Sequence, residues 1–302
     1  MERILVIRLS ALGDFVLSFR AFAAIRAHHR LAHITLLTTA PYAELARRAP
    51  WFDAVRTDAR PAFWDLPGLL RLARSLRGFD RVYDLQTSGR SDRYFLLALC
   101  PPWSGTARFA RFRHRGRARD HMHTIARQRE QLEIAGIGEF PRPDLAWLGA
   151  DVAPFGLPEP FALLVPGAAP HRPAKRWPAQ RYAALARLLA ARGLTPVILG
   201  AAAERTLGAE IAALCPEVLD LTGRTDLFAL AGLAARARLA VGNDTGPMHL
   251  IAATGCPSLV LFSAESDPAR TAPAGPDGRA VAVLRVPDLA TLAVERVAAA
   301  LP

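Results

Sequence analysis

Short apolar runs alternate along this chain with longer segments whose apolar positions recur every three or four residues. Residues 3–9 read as a buried strand. After Ser10-Ala11-Leu12-Gly13-Asp14, an amphipathic helix is expected to about His28. Residues 33–38 make a second strand, 54–57 a weak third, and 81–85 a fourth that ends at Gln86-Thr87-Ser88-Gly89. Residues 61–76 read as a helix with Leu66, Leu69, Leu70 and Leu76 on or near one face, and 120–135 also read as helical.

Residues 151–160 contain Pro154, Gly156, Pro158 and Pro160, the best linker candidate, so two domains are expected at 1–152 and 153–302. A second alternating unit follows. Its strands are expected at 161–165, 196–199, near Val218, at 239–241 and at 258–262. Its helices are expected at 178–192, 202–215, 226–235, 247–254 and 289–301. Alternation of this kind predicts the α/β class, with a parallel sheet covered on both faces in each half. Two such halves predict a cleft with ligand at the C-terminal ends of the strands.

Composition sharpens the picture. With 302 residues and 51% hydrophobic side chains, the chain is long enough for two ordinary α/β domains. Cys100, Cys215 and Cys256 are odd in number, far apart and without metal-ligand spacing, which suggests a reduced, cytoplasmic protein. Arg8 and Asp14 interrupt the first apolar runs, so no signal peptide is expected. Residues 245–264 lack charge over a length that can span a bilayer, but their glycines and prolines favour helix-turn-strand. The net charge of +11 is uneven: residues 1–150 hold 24 arginines against 14 acids, the remainder 14 basic residues against 13 acids. A basic first half draws in anionic partners, such as nucleic acid, an anionic membrane or an acidic glycolipid. Of 38 basic side chains only Lys175 is a lysine, a hint that a compact point charge is needed there.

The chemistry concentrates at strand ends. In Asn243-Asp244-Thr245-Gly246-Pro247-Met248-His249, a strand ends, the chain turns, and a helix begins with its free N–H groups ready for an anion. Asp244 and His249 add a carboxylate and an imidazole. Lys175 and Arg176 stand just before a helix opened by Pro178, where two cations and a helix start suit a diphosphate. Glu204, four residues past Gly200, reads either as a ligand of a ribose diol or as a first-turn glutamate favoured by the helix dipole. Asp14, beside Gly13 at the mouth of the first sheet, reads either as a general base or as a helix cap. Residues 107–119 interleave arginines with Phe109 and Phe112, as a nucleic-acid arm, a solvated loop or a patch facing an acidic acceptor would. The phosphate-binding loop Gly-x-x-x-x-Gly-Lys-Ser/Thr, the fingerprint Gly-x-Gly-x-x-Gly, the elbow Gly-x-Ser-x-Gly and any metal-ligand cluster are all missing.

Arg-Leu-Ser-Ala-Leu-Gly-Asp (8–14), Tyr-Asp-Leu-Gln (83–86), Ala-Lys-Arg-Trp-Pro (174–178) and Asp-Thr-Gly-Pro-Met-His (244–249) together resemble glycosyltransferase family 9, the ADP-heptose:lipopolysaccharide heptosyltransferases. The resemblance covers nearly the whole chain. It implies the GT-B fold, with two Rossmann-like domains, the acceptor on the first and the nucleotide sugar on the second. It further implies inverting transfer of heptose from ADP-L-glycero-D-manno-heptose to the lipopolysaccharide inner core, without metal or cofactor, at the cytoplasmic face of the inner membrane. Asp14 matches the family's base and Lys175 the lysine that holds the diphosphate. Arg176, Glu204, Asp244, Thr245, Gly246, Met248 and His249 match its donor side. Ser10, Arg113, Arg115 and Arg117 would meet the phosphates or carboxylates of an anionic glycolipid acceptor. This chain departs from the family pattern at 170–173, at 263–268, and at Thr87, where the family prefers glycine. Two other readings are an arginine-rich binder of nucleic acid or an anionic surface, and a GT-B epimerase or hydrolase.

Overall fold

Ile4, Leu5, Val6 and Ile7 are all fully buried, as a central parallel strand covered by helices on both faces requires. The computed structural model describes residues 1–62 and 64–302. From the N-terminus run β1 (Arg3–Ile7), α1 (Leu12–Leu17), α2 (Phe19–His28), β2 (His33–Thr38), α3 (Ala40–Arg48) and β3 (Ala54–Thr57). There follow α4 (Leu66–Leu76), β4 (Arg81–Asp84), α5 (Gly89–Leu97), β5 (Trp103–Gly105), β6 (Phe112–Arg113) and α6 (Thr124–Ile134). The strands form a parallel six-stranded sheet in the order β3-β2-β1-β4-β5-β6. Leu5 and Ile7 share a core with Leu72 and Leu76 of α4 and with Tyr94 and Phe95 of α5.

The second unit repeats the scheme. It contains β7 (Phe161–Val165), α7 (Ala179–Ala191), β8 (Thr195–Ile198), α8 (Arg205–Leu214), β9 (Leu219–Asp220) and α9 (Leu227–Arg236). It continues with β10 (Leu239–Asn243), α10 (Gly246–Ala253), β11 (Ser258–Phe262), α11 (Pro268–Thr271), β12 (Ala282–Arg285) and α12 (Val294–Ala299). Its parallel sheet runs β12-β11-β10-β7-β8-β9. In both sheets the strand order reverses beside the first strand, β1 or β7.

Several expected elements change at their ends. The helix expected to run to His28 breaks at Ser18, whose hydroxyl donates to the Asp14 carbonyl at 2.7 Å and accepts from Gln128 Nε2 at 2.8 Å. Such side-chain bonding competes with the helical ladder. The helix expected from residue 61 starts at Leu66, where Asp65 accepts from the Gly68 N–H at 2.9 Å; Phe63 lies outside the described residues. The helix expected at 120–135 begins at Thr124, after a 3-10 turn at Ala118–His121. The last helix shrinks to α12, preceded by a 3-10 turn at Leu289–Thr291.

The chain divides into compact units at Met1–Trp147 and Leu148–Pro302, five residues before the expected boundary. Leu148 is buried, and Gly232 of α9 lies so close to the preceding loop that a Cβ there would meet Ala150 O at 2.7 Å and Val152 Cγ1 at 2.8 Å. Residues 148–152 therefore pack with the second unit, ahead of the proline-rich stretch.

Close approach also governs β10. A Cβ on Gly242 would lie 2.6 Å from Met248 Sδ and 2.8 Å from Val165 Cβ. Gly242→Ala is expected to destabilise the protein by about 1–3 kcal/mol through overpacking. Urea denaturation of the two proteins measures it, and an unchanged midpoint would show that the Met248 side chain yields freely.

Candidate active site

In the second unit a single amide organises the strand ends. Asn243, the last residue of β10, is fully buried. Its Nδ2 donates to Pro166 O at 2.7 Å and Gly167 O at 3.3 Å, just past β7. Its Oδ1 accepts from the Trp177 N–H at 3.2 Å and lies 3.1 Å from Tyr182 Oη. The turn after β7, the start of α7 and the end of β10 are thereby fixed to one side chain. Lys175 stands two residues before Trp177, and Asp244 directly follows Asn243, so the clamp sets both.

Lys175 Nζ meets Asp244 Oδ2 at 2.5 Å, and Ser266 Oγ donates to the same oxygen at 2.6 Å. His249 Nε2 lies 4.0 Å from Asp244 Oδ1. Thr245 stands at the N-cap of α10 and Gly246 opens the helix, so Asp244 lies just ahead of the helix N-terminus, the end that favours a carboxylate. Arg176 donates to Ala168 O at 3.0 Å and so shares its charge with the loop after β7. Glu204 folds back on its own turn, its Oε2 accepting from the Ala201 N–H at 2.8 Å. Its carboxylate occupies the space above Gly167 that any side chain there would fill. Met248 departs from its expected role: it is fully buried, its thioether against Gly242, and it offers no surface to a donor.

In the first unit the focus is Arg8, a guanidinium only 2% exposed at the end of β1. It donates to Leu85 O at 2.6 Å and pairs with Asp14 Oδ1 at 3.1 Å. Burial pushes the Arg8 pKa down, and Asp14 and Asp84 oppose that shift. Asp14 stays 38% exposed, with one oxygen held by Arg8 and the other 3.5 Å from the Ala11 N–H. It is the third residue of α1, while Ala11 occupies the cap position. Gln86 Oε1 accepts from the N–H groups of Leu9 at 2.8 Å and Ser10 at 3.2 Å, so the end of β4 grips the loop that carries Asp14. Ser10 Oγ accepts from Arg60 Nη2 at 2.6 Å.

Asp84 supports that grip from below. Its Oδ1 accepts from the N–H groups of Gln86 and Thr87, each at 3.0 Å. Complete burial pushes its carboxyl up to about 7, against the opposing pull of the Ser91 hydroxyl and the two N–H donors. Thr87 is held at φ +45°, the left-handed region that glycine enters freely and a β-branched residue does not.

The arginine-rich segment is no free arm. Ala107 and Ala110 are buried, β6 pairs with β5, and the buried His114 approaches Glu130 at 3.3 Å. Arg113 closes its own loop through bonds to Thr106 O and Arg108 O at 3.1 and 3.3 Å. Arg115 and Arg117 are exposed. Among the described residues no group of three His, Cys, Asp or Glu side chains is placed to hold a metal ion. Arg8 and Asn243 stand within the quoted motifs but carry no role there, and Ser266 lies outside them; the structure brings all three to the candidate site.

Comparisons with known proteins bear on the family and the fold. A family model for glycosyltransferase family 9 (heptosyltransferase) matches residues 69–297. The chain is 29% identical over 293 residues to lipopolysaccharide heptosyltransferase 2 of Salmonella typhimurium, covering 87% of this chain and 83% of that protein. It is 37% identical over 99 residues to lipooligosaccharide heptosyltransferase 2 of Haemophilus influenzae, a match spanning only 29% of that protein. The solved structure of ADP-heptose LPS heptosyltransferase II from E. coli superposes with a TM-score of 0.76 at 25% identity, over 98% of this chain and 96% of that one. Fold and sequence together define a glycosyltransferase with the GT-B fold. The chain belongs to glycosyltransferase family 9.

The buried Asp84 makes stability depend on pH in a definite direction. Between about pH 4 and 7 the folded protein keeps a proton that the unfolded chain has released, so this group's contribution is lost as pH rises through about 7. Asp84→Asn keeps an acceptor for Gln86 and Thr87 and removes the ionisation. Relative to wild type, the variant is expected to shed a decline of up to about 1.4 kcal/mol per pH unit across that window. Urea midpoints from pH 4 to 8 report it, and parallel curves for the two proteins would rule it out.

Proposed function

We propose that this protein transfers heptose from ADP-L-glycero-D-manno-heptose to a lipopolysaccharide acceptor, with inversion at the anomeric carbon and without a metal ion. The observation that carries the reading is the Lys175–Asp244–Ser266 cluster at the N-terminus of α10, in a chain of family 9. Lys175, with the helix start and Arg176 nearby, meets the diphosphate and stabilises the charge that gathers on ADP as it departs. Asp244 exchanges its internal partners for hydroxyls of the sugar, and Glu204 turns from its own backbone to the ribose. Thr245, Gly246 and His249 complete the donor side.

Asp14 acts as the base. An acceptor hydroxyl gives its proton to the Asp14 carboxylate as its oxygen attacks the anomeric carbon, and the bond from that carbon to the ADP oxygen breaks on the opposite face. Arg8 supports this role because it fixes one carboxylate oxygen while the side chain stays partly exposed. Ser10, Arg115 and Arg117 meet the anionic groups of the acceptor, with Arg113 shaping the loop. The enzyme works at the cytoplasmic face of the inner membrane. No helix among the described residues is long and apolar enough to cross a membrane.

Calorimetric titration with ADP, ADP-heptose, UDP and GDP, without added metal, tests the donor assignment. ADP and ADP-heptose are expected to bind selectively, with affinity falling roughly tenfold or more in Glu204→Ala, about the value of one hydrogen bond to a charged group. Preference for UDP or GDP would change the donor, and no nucleotide binding would sink the proposal.

Asp14→Ala is expected to cut the transfer rate by about 10²–10⁴-fold while ADP affinity stays unchanged. Transfer at the wild-type rate would remove Asp14 from the base role.

A further inference from the structure

Helices α4 and α5 lie side by side over one face of the first sheet. Their inner faces share the Leu72, Leu76, Tyr94 and Phe95 core. Their ends are tied by Arg77 Nε to Leu97 O at 3.2 Å and by Arg90 Nη1 to Pro61 O at 3.4 Å. The outward faces are unusual. On α4, Leu66, Leu70 and Arg74 follow one another at four-residue spacing, and Leu66 and Leu70 are 66% and 58% exposed. Trp64, just before the helix, is 74% exposed. On α5, Arg90, Arg93 and Leu96 follow at three-residue spacing, with Leu96 62% exposed.

The charges on this face have one sign. Arg71, Arg74, Arg77, Arg90 and Arg93 are all exposed. The two acids of the helices are engaged locally: Asp65 accepts from the Gly68 N–H, and Asp92 accepts from the Thr106 hydroxyl at 2.7 Å. Large apolar side chains are thus set among five exposed arginines, and the two acids carried by these helices each accept a local hydrogen bond.

We propose that the α4–α5 face docks on an anionic lipid bilayer. A nucleic acid would match the arginines but offers no hydrocarbon to Leu66, Leu70 and Leu96. An apolar protein surface would match the leucines but strip water from five guanidinium groups. A bilayer surface supplies both: the leucines and Trp64 enter the boundary between headgroups and acyl chains, and the arginines stay at the level of the lipid phosphates. The inference deepens the reading of a glycolipid acceptor by naming the surface that brings the enzyme to it. It is tested without turnover, so its failure and the failure of the transfer reading are told apart.

The test is co-sedimentation of the full chain with vesicles of phosphatidylcholine alone and of phosphatidylcholine mixed with phosphatidylglycerol. The expected result is binding to the mixed vesicles only, weakened by salt. Leu66→Glu combined with Leu70→Glu is expected to weaken it about tenfold or more, as is Arg71→Ala combined with Arg74→Ala. ADP binding and the thermal midpoint should stay at wild-type values, since all four side chains are exposed. Leu96→Glu is a second, independent lesion should the α4 variants fold poorly. No binding to the mixed vesicles, or undiminished binding by all three variants, would overturn the proposal. So would release by a competing oligonucleotide, or a dimer in solution that Leu66→Glu and Leu70→Glu dissociate.

Discussion

The candidate site of the second unit rests on the buried amide of Asn243. From the end of β10 it reaches the turn after β7 and the start of α7, partners 61 to 77 residues earlier in the sequence. Losing a partner from a buried polar group costs about 1–3 kcal/mol, and Asn243 gathers several such debts in one place. The four contacts hold the segment that carries Lys175 against the end of β10, where Lys175 meets Asp244. A charged pair alone, with both side chains mostly buried, would be a weak organiser because desolvation opposes the Coulomb gain.

The first unit reaches a similar end by other means. Gln86 replaces Asn243, bonding the N–H groups of Leu9 and Ser10, and Asp84 in turn supports Gln86. In both units a polar residue at the end of a strand grips the loop of a neighbour, and a candidate carboxylate, Asp14 or Asp244, lies on the gripped loop or directly beside the clamp. Arg8 adds a buried guanidinium that pairs with one oxygen of the Asp14 carboxylate and so fixes where that side chain stands.

Much of this was legible in the sequence, because it is local. Strands buried on both faces read as plain apolar runs, so β7, β10 and β11 were placed nearly to the residue. Lys175, Asp244 and Asp14 were legible because strand-turn-helix junctions carry recognisable cap and turn residues. What could not be read depends on register between distant segments. Asn243 looks like the last polar letter of an apolar strand until β7 lies beside it. Arg8 looks like an interruption of β1, and Ser266 like any loop serine. Met248 sits within a site motif, yet α10 turns it inward onto Gly242. The two- and three-residue strands β5 and β6 carry too little pattern to see, and the break at Ser18 needs Gln128 from α6. The domain boundary slipped because Gly232, far along the chain, decides where residues 148–152 pack.

The composition of the chain has a further consequence at Lys175. Every other basic side chain is an arginine, so the molecule has one side-chain amine, and it stands against Asp244 at the head of α10. Guanidinium groups resist acylation under conditions that modify amines. Apart from the chain's N-terminal amine, a reagent that forms stable amides therefore has one side-chain address, Lys175. The mass added there becomes a gauge of occupancy, since whatever covers the ammonium also shields it from modification.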